Sequence, residues 1–72
     1  MPAESTLHKL HCALKAARLR AGLTQAQMAK KMRLSQGYLS QIESGARVPS
    51  LRVLQLAAQT TGAKLSELLD AA

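Results

Sequence analysis

The chain has 72 residues, 47% of them apolar, with Tyr38 as its one aromatic residue. That length and composition predict one small domain with a core of Leu, Ala, Met and Ile, and they exclude a second core. Net charge is +6, and the single cysteine, Cys12, excludes an internal disulfide.

Residues 1–5 are read as a short tail, and residues 6–72 as the domain. A first helix is predicted over about Thr6 to Ala21, where Leu7, Leu10, Leu14, Ala17 and Ala21 recur at three- and four-residue spacing. Gly22 ends it. Thr24 then has the attributes of an N-cap, and Gln27 three residues on completes a capping box. The second helix is short, Gln25 to Met32, and buries Met28, Ala29 and Met32. Ser35 caps a third helix, Gln36 to Ser44, whose Leu39 and Ile42 point inward, and Gly45 closes it. Ser50 caps a fourth, Leu51 to Thr61, with Leu51, Leu54, Ala57 and Ala58 as its inner stripe and Gly62 as its stop. A last segment, Leu65 to Ala71, places Leu65, Leu68 and Leu69 on one side. The result is all-α, five helices with no strand signal.

Within that order, Thr24 to Gly45 reads as two amphipathic helices joined by a tight turn, a helix-turn-helix. Charge is distributed to match. From Leu7 to Arg52 there are nine basic residues and one acid, Glu43, a local charge of +8, while Glu4, Glu67 and Asp70 sit near the ends. A basic centre with acids at its margins is the footprint expected for phosphate binding.

The third helix carries the more specific signal. At about 100° per residue, Leu39 and Ile42 share one arc, with Tyr38 at its edge. Gln36, Gly37, Ser40, Gln41 and Ser44 share the other, an uncharged polar face. Surface helices usually cover such a face with Lys and Glu. Short hydrogen-bonding groups instead allow close approach, and Gln donates and accepts together, matching adenine in the major groove. Gln36 and Gln41 are therefore candidate base contacts, with Ser40 beside them. Gly37 offers clearance rather than readout. Gln25, at the start of the second helix, and Arg47, just after the third, are candidate clamps on the DNA backbone. Tyr38 and Ser44 flank the same face and join that group, while Lys30, Lys31, Arg33 and Arg52 add field. An ordinary solvated face is the competing reading.

These residues resemble the phage repressor and Cro family of helix-turn-helix regulators, also called the xenobiotic-response-element family. The resemblance runs from about Leu14 to Leu69. It rests on Arg18 ahead of Gly22-Leu23-Thr24-Gln25, then Met28-Ala29, Ser35, Tyr38-Leu39-Ser40-Gln41-Ile42-Glu43, Gly45 and Pro49-Ser50. It implies a compact five-helix domain of the lambda-repressor type that binds operator DNA as a symmetric homodimer. It further implies that Gln25 contacts a phosphate, that Gln36, residue 37 and Gln41 face bases, and that Arg18 pairs with Glu43 to tie the first helix to the third. Part of the Leu65, Leu68 and Leu69 stripe is then expected at the dimer interface. Two positions depart from the family pattern: Arg33 stands in the turn where Gly is usual, and Gly37 where a contacting polar side chain is usual.

Other chemistry finds little support. His8, His11 and Cys12 share one helical face, but three ligands without a fourth make a poor zinc site, so no metal is expected. No nucleophile, base and orienting group converge, and neither an enzyme nor a cofactor or small-molecule ligand is expected. No apolar run reaches membrane-spanning length, and Met1-Pro2-Ala3 is too short for a targeting segment, so a cytoplasmic location is expected. The combined expectation is a sequence-specific transcriptional regulator, acting as a homodimer on a palindromic or nearly palindromic operator. It would serve as an autoregulatory switch of prophage, restriction-modification controller or toxin-antitoxin type. The alternative from another class is an antitoxin or anti-activator that uses the fold mainly to cover a partner protein.

Overall fold

The computed structural model describes residues 2–70, and the side chains of residues 10–69. Five helices follow in order: α1 (Pro2–Arg20), α2 (Gln25–Met32), α3 (Gln36–Ser44), α4 (Leu51–Thr61) and α5 (Leu65–Asp70). The middle three have the bounds expected of them. α1 starts earlier than expected, so the predicted tail at residues 2–5 is instead its first turn. Proline is well tolerated there, because a first-turn N–H has no intrahelical partner to lose and the ring holds φ near the helical value. The expectation for Ala71 lies outside the described residues.

Local chemistry explains where each helix begins. Thr24 is extended at φ −76° and ψ 164°. Its hydroxyl accepts from the Gln27 N–H at 3.1 Å, while its own N–H donates to Gln27 Oε1 at 2.9 Å. Two donors that a helix start leaves orphaned are thereby satisfied. Ser35 and Ser50 cap α3 and α4 with the hydroxyl half of that arrangement alone, accepting from Tyr38 N–H at 3.0 Å and Val53 N–H at 3.2 Å.

Helix ends use left-handed backbone. Gly22, Gly45 and Gly62 have φ of 73°, 86° and 81°, and Arg33 is the one described non-glycine residue with positive φ, at 60°. At Arg33 the chain closes α2 and turns toward α3 in a single step. The Arg33 N–H donates to Lys30 C=O at 3.1 Å, and the Leu34 N–H reaches back to Ala29 C=O at 2.9 Å. That pair of bonds satisfies carbonyls at the helix end and stabilises a conformation the side chain disfavours.

α1 packs against α3, α4 and α5, and α2 packs against α3 and α4. The core they enclose is Leu10, Leu14, Ala17, Met28, Ala29, Met32, Leu39, Ile42, Leu54, Ala57, Ala58 and Leu68. Three expectations about apolar faces change. Leu51, assigned to the inner stripe of α4, is 57% exposed. It sits in the first turn, where side chains lean toward the helix N-terminus and past the packed surface. Ala21 is exposed beyond the end of α1. Leu68, expected at a dimer interface, is 1% exposed and completes the core of the single chain, so it has no surface left to share. Leu65 is half-buried against that core, and only Leu69 of the three remains exposed.

Arg33→Gly tests the turn. Left-handed backbone costs an L-residue roughly 1–2 kcal/mol, and the larger unfolded-state entropy of glycine offsets about 0.4–1 of that. The substitution is expected to stabilise the domain by a net of about 0.5–1 kcal/mol, read from the midpoint of urea unfolding.

Candidate nucleic-acid interface

α3 is held from behind. Glu43 is buried on its inner side with Leu39 and Ile42, and its side chain is 3% exposed. Arg18 of α1 meets that carboxylate with both edges of its guanidinium: Nε donates to Oε2 at 2.8 Å and Nη2 to Oε1 at 3.0 Å. The planar fork matches the carboxylate, so the pair fixes orientation as well as distance. The remaining Arg18 nitrogen, Nη1, donates to Leu23 C=O at 3.0 Å, tying in the loop before α2.

Two further groups converge on Glu43. His11 Nδ1–H donates to its main-chain carbonyl at 2.8 Å. A carbonyl can only accept, which sets the role of that ring nitrogen. Gln25, the first residue of α2, donates from Nε2 to Glu43 Oε1 at 3.2 Å. α1, α2 and α3 are thus joined at one residue. Gly45 follows from the same arrangement, since a Cβ there would lie 2.9 Å from His11 Nε2 and its backbone is left-handed.

With Leu39, Ile42 and Glu43 turned inward, Gln36, Gly37, Ser40, Gln41 and Ser44 form the outer face, all exposed. A Cβ on Gly37 would meet nothing within 4 Å, so packing does not require glycine there. The outer face carries no charge of its own. Beside it lies a shallow hollow lined by Lys15, Arg18, Gln25, Ser40, Glu43 and Ser44. Arg18 and Glu43 neutralise one another, which leaves Lys15 as the uncompensated charge of that hollow. Lys15 was not singled out from the sequence, although it lies three residues before Arg18, on the same face of α1, and that spacing was a usable signal.

Several candidate residues are engaged with one another rather than independent. Gln25 lies against Glu43. Ser44 donates its hydroxyl to Gln41 C=O at 3.0 Å and accepts from Ala46 N–H at 3.4 Å, closing the end of α3. Arg47 donates from Nε to Gln41 Oε1 at 3.0 Å, and its guanidinium carbon sits 5.2 Å from the centre of the half-buried Tyr38 ring. A base-contact candidate and a backbone-clamp candidate are therefore bonded to each other. Lys31, Arg33 and Arg52 line a separate cleft between the end of α2 and α4, with Met32, Leu34, Val53 and Leu56. No group of three metal-ligating side chains occurs among the described residues, and the side chain of His8 lies outside them. Among the described residues no helix is long and apolar enough to cross a membrane.

α3 is thus braced from within and presents a polar outer face, and a comparison of protein families matches residues 14–68 to the family described as "Helix-turn-helix". The chain belongs to the Cro/C1-type helix-turn-helix family. Members are DNA-binding regulators of transcription rather than enzymes. Among solved structures, the crystal structure of the clp gene regulator ClgR from C. glutamicum is similar to this helix-turn-helix protein. It is 32% identical, with a TM-score of 0.83, over 90% of this chain and 86% of that one. No curated protein matches.

The brace can be tested directly. Arg18→Met strands a buried carboxylate, and breaking such a pair from one side costs roughly 3–5 kcal/mol. The variant is expected to be largely unfolded at room temperature by circular dichroism. Arg18→Met combined with Glu43→Leu is expected to recover much of the loss, since no charge is then left buried.

Proposed function

We propose that this helix-turn-helix protein binds a palindromic or nearly palindromic operator in duplex DNA as a homodimer, placing two copies of α3 in successive major grooves. The observation that carries this reading is the face of α3: short, uncharged hydrogen-bonding side chains outward, a fully committed inner side, and cations around it. Gln36, Ser40 and Gln41 would meet base edges, which differ between base pairs in donor and acceptor pattern. Lys15 and the second amide hydrogen of Gln25 would meet phosphates beside them, with Ser44 and Tyr38 at the flank. Such contacts set position and salt dependence, while the α3 face sets sequence. Two α3 helices about one DNA turn, ~34 Å, apart would match a two-fold operator.

The homodimer would use the edge of α5, where Leu69 is 44% exposed and Leu65 half-buried; Leu68 belongs to the core. DNA contacts and a pairing surface on one domain suit an autoregulatory switch working in the cytoplasm beside its DNA. Prophage, restriction-modification and toxin-antitoxin loci are settings of that kind.

Binding selection from random duplex DNA at stated salt tests the reading. The expected result is one enriched motif with two-fold symmetry. A sequence-independent pool, with the same affinity for enriched and scrambled DNA, would remove it. Gln36→Ala is expected to relax preference at one base pair per half-site by ~1–3 kcal/mol, leaving the other positions unchanged in repeat selections. For the dimer, Leu69→Lys is expected to leave the thermal midpoint within a few degrees of the parent. In sedimentation equilibrium it should raise the dimer dissociation constant at least about tenfold, the effect of ~1.4 kcal/mol.

A further inference from the structure

We infer that Gln41 and Arg47 act as a single paired reader that selects guanine, with Tyr38 setting its plane. The inference rests on the proposal that α3 meets base edges. A lone glutamine recognises adenine by using both ends of its amide, accepting from N6–H with Oε1 and donating to N7 with Nε2. In this chain Oε1 already accepts from Arg47 Nε at 3.0 Å. Arginine has donors only, so the amide can sit just one way round, with Nε2 directed away from Arg47. Oε1 keeps a second lone pair, but an adenine or cytosine amino group reaching it would lie against the Arg47 guanidinium, whose positive charge repels the donor hydrogens. Guanine instead presents O6 and N7, two acceptors, to Nε2 of Gln41 and the outer nitrogens of Arg47.

The arrangement is built rather than incidental. Ala46 N–H and Arg47 N–H both donate to the Gln41 carbonyl, at 2.9 and 3.2 Å, so the loop after α3 is folded back onto the residue whose side chain Arg47 holds. The guanidinium also faces the Tyr38 ring, 5.2 Å from its centre, a contact that fixes a flat group and strengthens as water leaves. Gln41, on the outer face of α3, and Arg47, in the loop after it, are both exposed, so their bond serves no packing need.

The test is binding selection from random duplex DNA, at one salt concentration, with the parent chain, Gln41→Ala, Arg47→Met and the double variant. The position that Gln41→Ala relaxes identifies the base pair concerned. The inference expects guanine there for the parent, and Arg47→Met to move it to adenine or to no preference. Discrimination of guanine from adenine at that position should fall at least about fivefold, with all other positions kept. The double variant should lose no more at that position than either single one. All variants should melt with the parent by circular dichroism, since the changes are exposed. The inference is overturned if Arg47→Met keeps the same preferred base and weakens every sequence alike, with the salt slope reduced by about one, which is the behaviour of a phosphate contact. It is overturned too if the parent selects adenine at the Gln41 position. A parent that enriches no motif would overturn the proposed function beneath it.

Discussion

Glu43 is the only acid between Leu7 and Arg52, and it is buried. A carboxylate taken out of water is destabilising unless a matched cation and hydrogen bonds go with it. Arg18 supplies both in one planar group, and no buried side-chain polar atom among the described residues lacks a partner. Because Arg18 belongs to α1, Gln25 to α2 and Glu43 to α3, satisfying one charge sets the relative orientation of three helices. An apolar side chain at position 43 would have packed there without specifying direction. The fork demands one geometry, and the outer face of α3 inherits it.

That inheritance runs through helix periodicity. Once Leu39, Ile42 and Glu43 are inward, the remaining positions of a nine-residue helix have one orientation available, and Gln36, Ser40 and Gln41 point away from the core. Short capped turns at Thr24, Ser35 and Ser50 keep α2, α3 and α4 from sliding relative to that face. Arg33 is where these demands collide. The chain must reverse within two residues, the backbone turns left-handed, and a side chain that resists that conformation is retained with a cleft-lining role beside Lys31 and Arg52.

Most of the fold was legible because the signals were local. A capping box forms between residues three apart, a left-handed glycine stops a helix where it stands, and the stripes of α2, α3 and α4 follow a 3.6-residue period; α2 to α4 kept their expected bounds. Periodicity was less reliable at element ends. Leu51 and Ala21 fit the pattern of their helices and are exposed, because a stripe says which way a residue faces and not whether anything is there to face. Leu68 and Leu69 are adjacent in sequence and were grouped together, yet one is buried and the other is not.

The candidate site divides along the same line. Sequence alone determined that α3 has an uncharged polar face set in a basic field, a property of residue type and of a period known in advance, while the pairing of Glu43 with Arg18 was implied by the family resemblance. Tertiary structure decided which groups meet: Gln25 against Glu43, His11 over the end of α3, Lys15 beside Ser40 and Ser44, and Arg47 on Gln41 and Tyr38. Each of these joins segments whose separation is fixed only when the helices pack, and a hydrogen bond depends on distances of a few tenths of an ångström that no periodicity carries.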